Sequence, residues 1–403
     1  MPEHHRVILI GGGVAGASCL YHLADSGLTD CLLLEQGGLA NGSSGRSAAF
    51  IETQYLDEDR IRLCTWSLDV YERFARDHGL RYVRTGKLLL GSTDEDLQAF
   101  DRSISLQRAI GSFEPRILDP AEVGALAPAL RLDGLLKALW GPRDGYTDAG
   151  QLCQIYTRLA EERGSKTLVS TRVEAIRVEE SGKFVLDTDR GQFTCDIVIN
   201  SSGAWASQLA ALVGVHVPVA GYRRQVGVYE IVPLSGDLPI VVTSLGDDGS
   251  PTLYFRPDGE GRILAGLHSE VAGDAPADDP ETYRRQADSS FTEELARLLR
   301  AKLDVRYELR TVGGWGGLYP LTPDGEFILG EAPGVPHFYN AVGLGGNGIQ
   351  LSAAIGRITS ELIVDGQSTL APSLDRYLLE RFDRPAGDTG VDARSGSLNA
   401  QTS

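Results

Sequence analysis

Gly11-Gly12-Gly13-Val14-Ala15-Gly16 is a run suited to one task, holding a phosphate against main-chain amides. Gly11 permits a tight turn, Gly13 lets the backbone approach a pyrophosphate, and Gly16 lets a helix pack closely on a strand. Glu35 lies 19 residues beyond Gly16, where a carboxylate can accept hydrogen bonds from a ribose 2′-hydroxyl. The same charge would repel a 2′-phosphate, which disfavours NADP. A lone glycine fingerprint is a weak signal, and its setting gives this one force. Arg6–Ile10 (RVILI) is the short apolar run of a buried parallel strand, a helical stretch follows to about Ala24, and a second strand, Cys31–Leu34, ends in Glu35.

That fingerprint fits NAD or FAD, and three further segments favour FAD. In Gly42-Ser43-Ser44-Gly45-Arg46-Ser47-Ala48-Ala49, small residues and hydroxyls leave room for a second phosphate and a ribityl chain, with Arg46 as counter-charge. Val173 falls in a strand, and the strand Asp196–Asn200 runs into Ser201-Ser202-Gly203-Ala204-Trp205. Near the C-terminus, Gly343-Leu344-Gly345-Gly346-Asn347-Gly348-Ile349-Gln350 feeds an apolar stretch, Leu351 to Ile363, at helical spacing. A second glycine loop opening a helix suits an anionic ring system.

The rest of the composition mainly excludes. A chain of 403 residues fits two domains, and a net charge of −17 argues against nucleic acid and against an anionic membrane surface. No apolar run reaches the roughly 18 residues a membrane span needs. The first residues carry neither a signal-peptide core nor a cleavage site. The five cysteines (Cys19, Cys31, Cys64, Cys153, Cys195) form no C-x-x-C pair, so they read as buried thiols of a cytoplasmic protein and not as a disulfide framework or a metal site. Residues 386–403 are expected to form a disordered tail.

Taken together, VILIGGGVAGASCLYHLA, LLLEQ, GSSGRSAA, INSSGAW, LTPDGEFILG and NAVGLGGNGIQLSAAIG resemble, in content and order, the D-amino acid oxidase superfamily of FAD enzymes. The resemblance runs from Arg6 to about Asp365 and is to the branch holding sarcosine oxidases, glycine oxidase and D-arginine dehydrogenase. It implies an α/β, two-domain (α+β) architecture. A Rossmann-type FAD-binding domain would be assembled from residues 1–80, 145–218 and 310–385, and a mixed-sheet substrate-binding domain from 81–144 and 219–309. The segments Arg223–Val232, Thr252–Arg256 and Arg262–Leu267 read independently as strands of such a sheet. The cofactor contacts it implies are Gly11, Gly13, Val14, Ala15, Gly16, Glu35, Gln36, Ser43, Ser44, Arg46, Ser47, Ala48, Val173, Ser202, Gly203, Trp205, Gly317 and Gly345 through Gln350, including Gly346, Asn347, Gly348 and Ile349.

In such enzymes hydride leaves the amino acid's α-carbon for flavin N5, so the protein must anchor the carboxylate and favour a neutral amine. The resemblance assigns the anchor to Arg224 in GYRRQVGVYE, with Tyr254, Tyr55, Tyr319 and His268 beside it. Each has an ordinary alternative: a surface arginine, a half-buried strand tyrosine, a structural histidine. Tyr319 stands where D-arginine dehydrogenase has an arginine, which leaves the particular substrate open. Leu264 stands where monomeric sarcosine oxidases carry a lysine that helps reduced flavin meet oxygen. None of the five lysines (Lys87, Lys137, Lys166, Lys183, Lys302) falls in a flavin motif. That leans toward a quinone or carrier protein as electron acceptor in place of O2. Gly317 replaces the cysteine through which those enzymes attach FAD, and Gly42–Ala49 holds no histidine, so FAD should be non-covalent.

The resulting expectation is oxidation of the C–N bond of an amino acid or N-alkyl amino acid to an imine, with D-amino acid dehydrogenation narrowly ahead of sarcosine- or proline-type oxidation. A catalytic subunit of a hetero-oligomer is the alternative. A flavin-containing tRNA-modification module shares the fold, but the acidic charge opposes it.

Overall fold

Side-chain alternation along the first strand decides the architecture. Within Glu3–Ile10, Val7 and Leu9 join one apolar cluster while Ile8 and Ile10 join another, and all four are buried. The neighbouring strands split the same way: Leu33, Ile197 and Ile199 face the first cluster, and Leu32, Leu34 and Val198 the second. A sheet covered on both faces is the setting in which parallel strands occur. The computed structural model describes residues 2–111, 114–232, 238–243, 252–268, 276–277, 279–304 and 306–383; the tail expected at 386–403 lies outside them.

This first sheet has eight strands. Gly191–Asn200, Glu3–Ile10, Cys31–Leu34 and Lys166–Leu168 run parallel in that order. The other edge of Gly191–Asn200 is shared. Its first half pairs antiparallel with Phe184–Thr188, and its last residues pair in parallel with Val335–Val342. The helices Val14–Asp25 and Gly348–Val364 lie against each other, with Leu20, Leu23, Leu351 and Ile355 all in the first cluster. Gly356 is what lets them touch: a Cβ there would sit 2.6 Å from the Ser18 carbonyl oxygen.

The second sheet also has eight strands, in the order Glu308–Leu321, Ala220–Val232, Arg262–His268, Thr252–Pro257, Ile240–Thr243, Lys87–Gly91, Lys137–Gly141 and Arg116–Leu118. All three segments read as strands from sequence lie in it. The first two strands pair antiparallel from Ala220–Leu321 to Val232–Glu308, so residues 310–321, grouped by sequence with the dinucleotide-binding segments, are hydrogen-bonded to this sheet. Tyr229, Phe255 and Ile263 pack on one face against Leu295 and Leu299 of the helix Ser289–Lys302. Val226, Tyr254 and Leu264 fill the other face, and Ala48 and Phe50 pack onto them. That second face therefore meets the GSSGRSAA segment.

The Gly356 contact yields a test. In Gly356→Ala the added methyl meets Ser18 backbone that cannot swing aside, and overpacking of this kind costs about 1–3 kcal/mol. A lowered urea midpoint with an unchanged m-value is the expected result.

Candidate active site

The turn after the first strand is built from backbone contacts too close for side chains. Gly11 has φ +114°, and a Cβ on it would lie 2.5 Å from the Ser201 carbonyl oxygen. At Gly16 a Cβ would lie 2.0 Å from the Gly11 carbonyl oxygen. The helix is thus drawn onto the strand, and its N-cap, Gly13, offers no side-chain cap. The Val14 amide donates to Ser44 Oγ at 3.1 Å. Glu35 accepts from the Gly12 amide at 2.6 Å and the Gly37 amide at 2.7 Å, which ties the end of the second strand to the glycine turn. The helix Gly348–Val364 likewise begins without a side-chain cap or an acidic residue in its first turn. Uncapped first-turn amides with the positive end of a helix dipole suit a phosphate or an anionic ring.

Both helix starts open on one cavity of about 490 Å³. Of the residues expected to contact FAD, Gly11, Gly13, Val14, Ala15, Glu35, Gln36, Ser43, Ser44, Arg46, Ser47, Val173, Ser202, Gly203, Trp205, Gly345, Gly346, Gly348 and Ile349 line it. Five are not among its walls. Gly16 is taken up by the strand–helix contact. The Ala48 carbonyl is bound by Arg256 Nε at 2.7 Å. Gly317 lies beneath Arg46, whose Cβ is 3.1 Å from where its own would be. Asn347 and Gln350 bond each other at 2.7 Å, and Gln350 Nε2 also donates to the Tyr55 hydroxyl. Arg46 differs from expectation in another way: its guanidinium donates to the carbonyls of Asn41 and Gly42, so it braces the loop. Sequence reasoning missed Asn41, Thr171, Arg172, Glu281, Tyr283 and Arg285, which also line the cavity. Arg172 and Trp205 both reach Glu281, at 2.7 and 3.1 Å, across separations no local motif could signal.

The other expected residues gather beyond the second glycine loop. Tyr319 lies against Gly346, where a Cβ would be 2.8 Å from its ring. Tyr319 pairs with Tyr222, and two positions along the same strands Gly317 pairs with Arg224. Val226 and Tyr254 fill one face of the second sheet and both pair with Gly266, and Arg224 stands two residues before Val226 on the same strand, so its charge acts on Tyr254, Tyr319 and His268. Arg223, its neighbour, is engaged elsewhere, with Asp288 at 2.7 Å and the Arg284 carbonyl at 2.9 Å. The Tyr254 and His268 rings are 4.7 Å apart, and Tyr254 folds over Gly266, where a Cβ would be 2.2 Å from its hydroxyl. Tyr55 is buried and donates to Glu52 Oε1 at 2.9 Å. The opposite oxygen of Glu52 receives the buried Lys87 ammonium. Neither Glu52 nor Lys87 carried any signal in the sequence.

The family model for FAD dependent oxidoreductases matches residues 6–362. The chain belongs to this family. Mouse sarcosine dehydrogenase (Mus musculus) is 27% identical over 387 residues, 94% of this chain and 41% of that one. Glycine oxidase of Geobacillus kaustophilus is 28% identical over 393 residues, covering 94% of this chain and 98% of its own. Among solved structures, L-proline dehydrogenase from P. horikoshii has a TM-score of 0.85 at 26% identity, covering 95% of this chain and 99% of that one. The chain spans about two fifths of the length of the first curated relatives it matches.

In this flavoprotein the electrostatics of the second region follow from burial. Burial pushes the Tyr55 and Tyr254 hydroxyls far above their ordinary value, so both are neutral donors. Burial, aided by the Lys87 and Arg224 charges and opposed by Glu52, lowers His268 to about 4. Its imidazole is neutral at pH 7, and its contribution to stability is complete above its unfolded value and lost as pH falls toward 4. Burial pushes Glu52 up, but Lys87 and the Tyr55 hydroxyl outweigh it and hold the carboxyl below its ordinary range. Asp144 lies nearby with one oxygen on the Thr53 amide and hydroxyl, both at 3.1 Å, and the other without a partner. Burial, reinforced by Glu52 and opposed by Lys87, raises it from 3.8 to about 7.

Asp144 gives a pH prediction with a definite sign. An acid raised on folding stabilises below its unfolded value, and that stabilisation is lost as pH climbs through the folded one. Ionising Asp144 in place should therefore cost on the order of 4 kcal/mol between pH 4 and 7. Urea midpoints at pH 5 and pH 8 should differ by less in Asp144→Asn than in the wild type.

Proposed function

We propose that this chain binds FAD without a covalent link and oxidises the C–N bond of a small amino acid, glycine, sarcosine and proline being the class. The single observation that carries this is the cluster of Arg224, Tyr254, His268 and Tyr319, of which Tyr319 lines the dinucleotide cavity beside Gly346. One arginine with neutral hydroxyl donors suits a carboxylate, and a neutral imidazole adds no charge that would favour a protonated amine. Among the described residues no group of His, Cys, Asp or Glu could hold a metal ion. FAD supplies a two-electron acceptor. The chain's own task is to orient the substrate carbon and exclude water.

For the cofactor, the amides of Gly13 to Ala15 would take the pyrophosphate and Glu35 a ribose hydroxyl. The loop Ser43–Ser47 would lie along the ribityl chain, and the start of Gly348–Val364 would hold the ring system. Gly317 offers no nucleophile for a covalent bond. The likeness to sarcosine dehydrogenase and to L-proline dehydrogenase supports secondary amines over the D-amino acids favoured from the sequence. Leu264 is buried in the second sheet, so no cation stands there, and a quinone or carrier protein is the proposed acceptor over O2. A second reading, the catalytic subunit of a larger assembly, is supported by the likeness to sarcosine oxidase subunit beta of Rhodobacter capsulatus, 25% identical over 387 residues, 94% of this chain and 89% of that one. No helix among the described residues is long and apolar enough to cross a membrane.

The test is anaerobic bleaching of the visible flavin band by glycine, sarcosine and both enantiomers of proline and alanine. Bleaching by this set, sarcosine or proline fastest, is expected. A yellow protein reduced by none of them contradicts the reading, bleaching by D-alanine alone selects the D-amino acid class, and activity regained with a partner chain selects the subunit. In Arg224→Ala the loss of a charge-assisted hydrogen bond, about 1.5–3 kcal/mol, should raise KM roughly 10- to 100-fold with less effect on kcat.

A further inference from the structure

Glu52 is tied to the second glycine loop through Tyr55, whose hydroxyl donates to Glu52 Oε1 at 2.9 Å and meets Asn347 and Gln350, and its charge and the opposite one of Arg224 both reach Tyr319 and His268. Arg224 acts on both groups from the strand Ala220–Val232, and Glu52 acts on both from the segment after the strand Phe50–Ile51. Arg224 suits a carboxylate, which leaves Glu52 without a role in the reading above. A carboxylate at this depth is costly unless held, and it is held on both sides, by Tyr55 through Oε1 and Lys87 through Oε2. Each oxygen keeps a further lone pair. Glu52 also retains 9% exposure, whereas Lys87, at 1%, is sealed behind it.

We propose that Glu52 is a substrate-binding residue that accepts a hydrogen bond from the amine N–H, and that Lys87 is a positioning residue that keeps it ionised and aimed. This rests on the amino-acid reading above and sharpens it to primary and secondary amines. The reactive amine must be neutral for hydride to leave the adjacent carbon. Neutral glycine, sarcosine and proline each keep an N–H for Glu52, while a neutral N,N-dialkyl amino acid has none. An ionised Glu52 alone would favour the ammonium, but Lys87, paired with it, and Arg224 offset that pull, so the N–H of the neutral amine is the donor that Glu52 meets.

The titratable and charged groups around Glu52 come from every element that packs on it. They are Lys87 on the second sheet, Asp144 before the strand Gly145–Thr147, His268, Tyr319, Tyr55, and Cys64 on the helix Glu58–His78. Among the described residues only Lys87 is a direct cationic partner. Without it, burial and Asp144 would both oppose ionisation of Glu52.

The experiment uses the FAD-loaded protein and anaerobic bleaching with sarcosine and N,N-dimethylglycine. The wild type should prefer sarcosine by about tenfold or more in kcat/KM, and Glu52→Gln should bring the ratio within about threefold, mainly by raising KM for sarcosine. The visible spectrum and FAD content should not change. Should Glu52→Gln fail to load, Lys87→Met keeps the carboxylate and moves the acidic limb of the sarcosine profile upward by about one pH unit or more. A mere structural brace would not move that limb. An unchanged ratio in Glu52→Gln, or an unmoved limb in Lys87→Met, overturns this assignment while the amino-acid reading stands. Wild-type protein reduced by no amino acid overturns both.

Discussion

The contact between main chain and main chain at Gly11, Gly16 and Ser201 is the constraint from which the rest of the site is laid out. With Gly16 able to sit where a Cβ would be 2.0 Å from the Gly11 carbonyl oxygen, the first helix meets the first strand at its own N-terminus. Its first turn, where the Val14 amide meets Ser44 Oγ, then opens on the cavity and not the core. Gly356 repeats the device one layer out, against Ser18 of the same helix, and this fixes the long C-terminal helix. The start of that helix is the second uncapped terminus on the cavity. One chain of close approaches therefore sets the distance between the two ends of the dinucleotide site.

Charge is used differently on the two sides of the molecule. The chain carries a net charge of −17, yet several of its buried carboxylates are individually paired with a cation. Arg60 meets Glu326 at 2.8 Å, both buried, and Arg376 bridges Glu326 and Asp57 at 2.8 and 2.7 Å. Arg381 fastens Asp324 at 2.7 Å, so the TPDGE turn is clamped beside the start of the helix Glu58–His78. Buried pairs of this kind contribute little net stability, because desolvation offsets the attraction. What they do is fix position. The Glu52–Lys87 pair does the same between the segment leaving the GSSGRSAA loop and the second sheet.

Much of the first sheet was legible from sequence. Glycines at Gly11, Gly13 and Gly16 between two apolar runs admit few conformations, and the strands and helix fall where the pattern put them. Three strands of the second sheet, read at Arg223–Val232, Thr252–Arg256 and Arg262–Leu267, were legible for a similar reason, their β-branched and aromatic content; the other five were not. The site's polar interior was not. Lys87 sits in GKLLLG, outside every flavin motif, and its partner is 35 residues away. Glu52 follows a two-residue strand with no periodicity to give its direction. Arg46 was in the right loop, but its guanidinium turned to the carbonyls of Asn41 and Gly42, a choice of rotamer that spacing does not encode. Gln350 and Asn347 likewise lie in a recognisable motif, yet bond to each other and to Tyr55.

On the proposed chemistry a C–H bond beside the substrate nitrogen breaks in the step that reduces FAD. The rate of anaerobic bleaching with sarcosine deuterated separately at the α-carbon and at the N-methyl group reads that step. Deuterium at one of these carbons should slow the bleaching relative to unlabelled sarcosine, and the other label should not. Bleaching equally fast with both labels, or none at all, would contradict that chemistry.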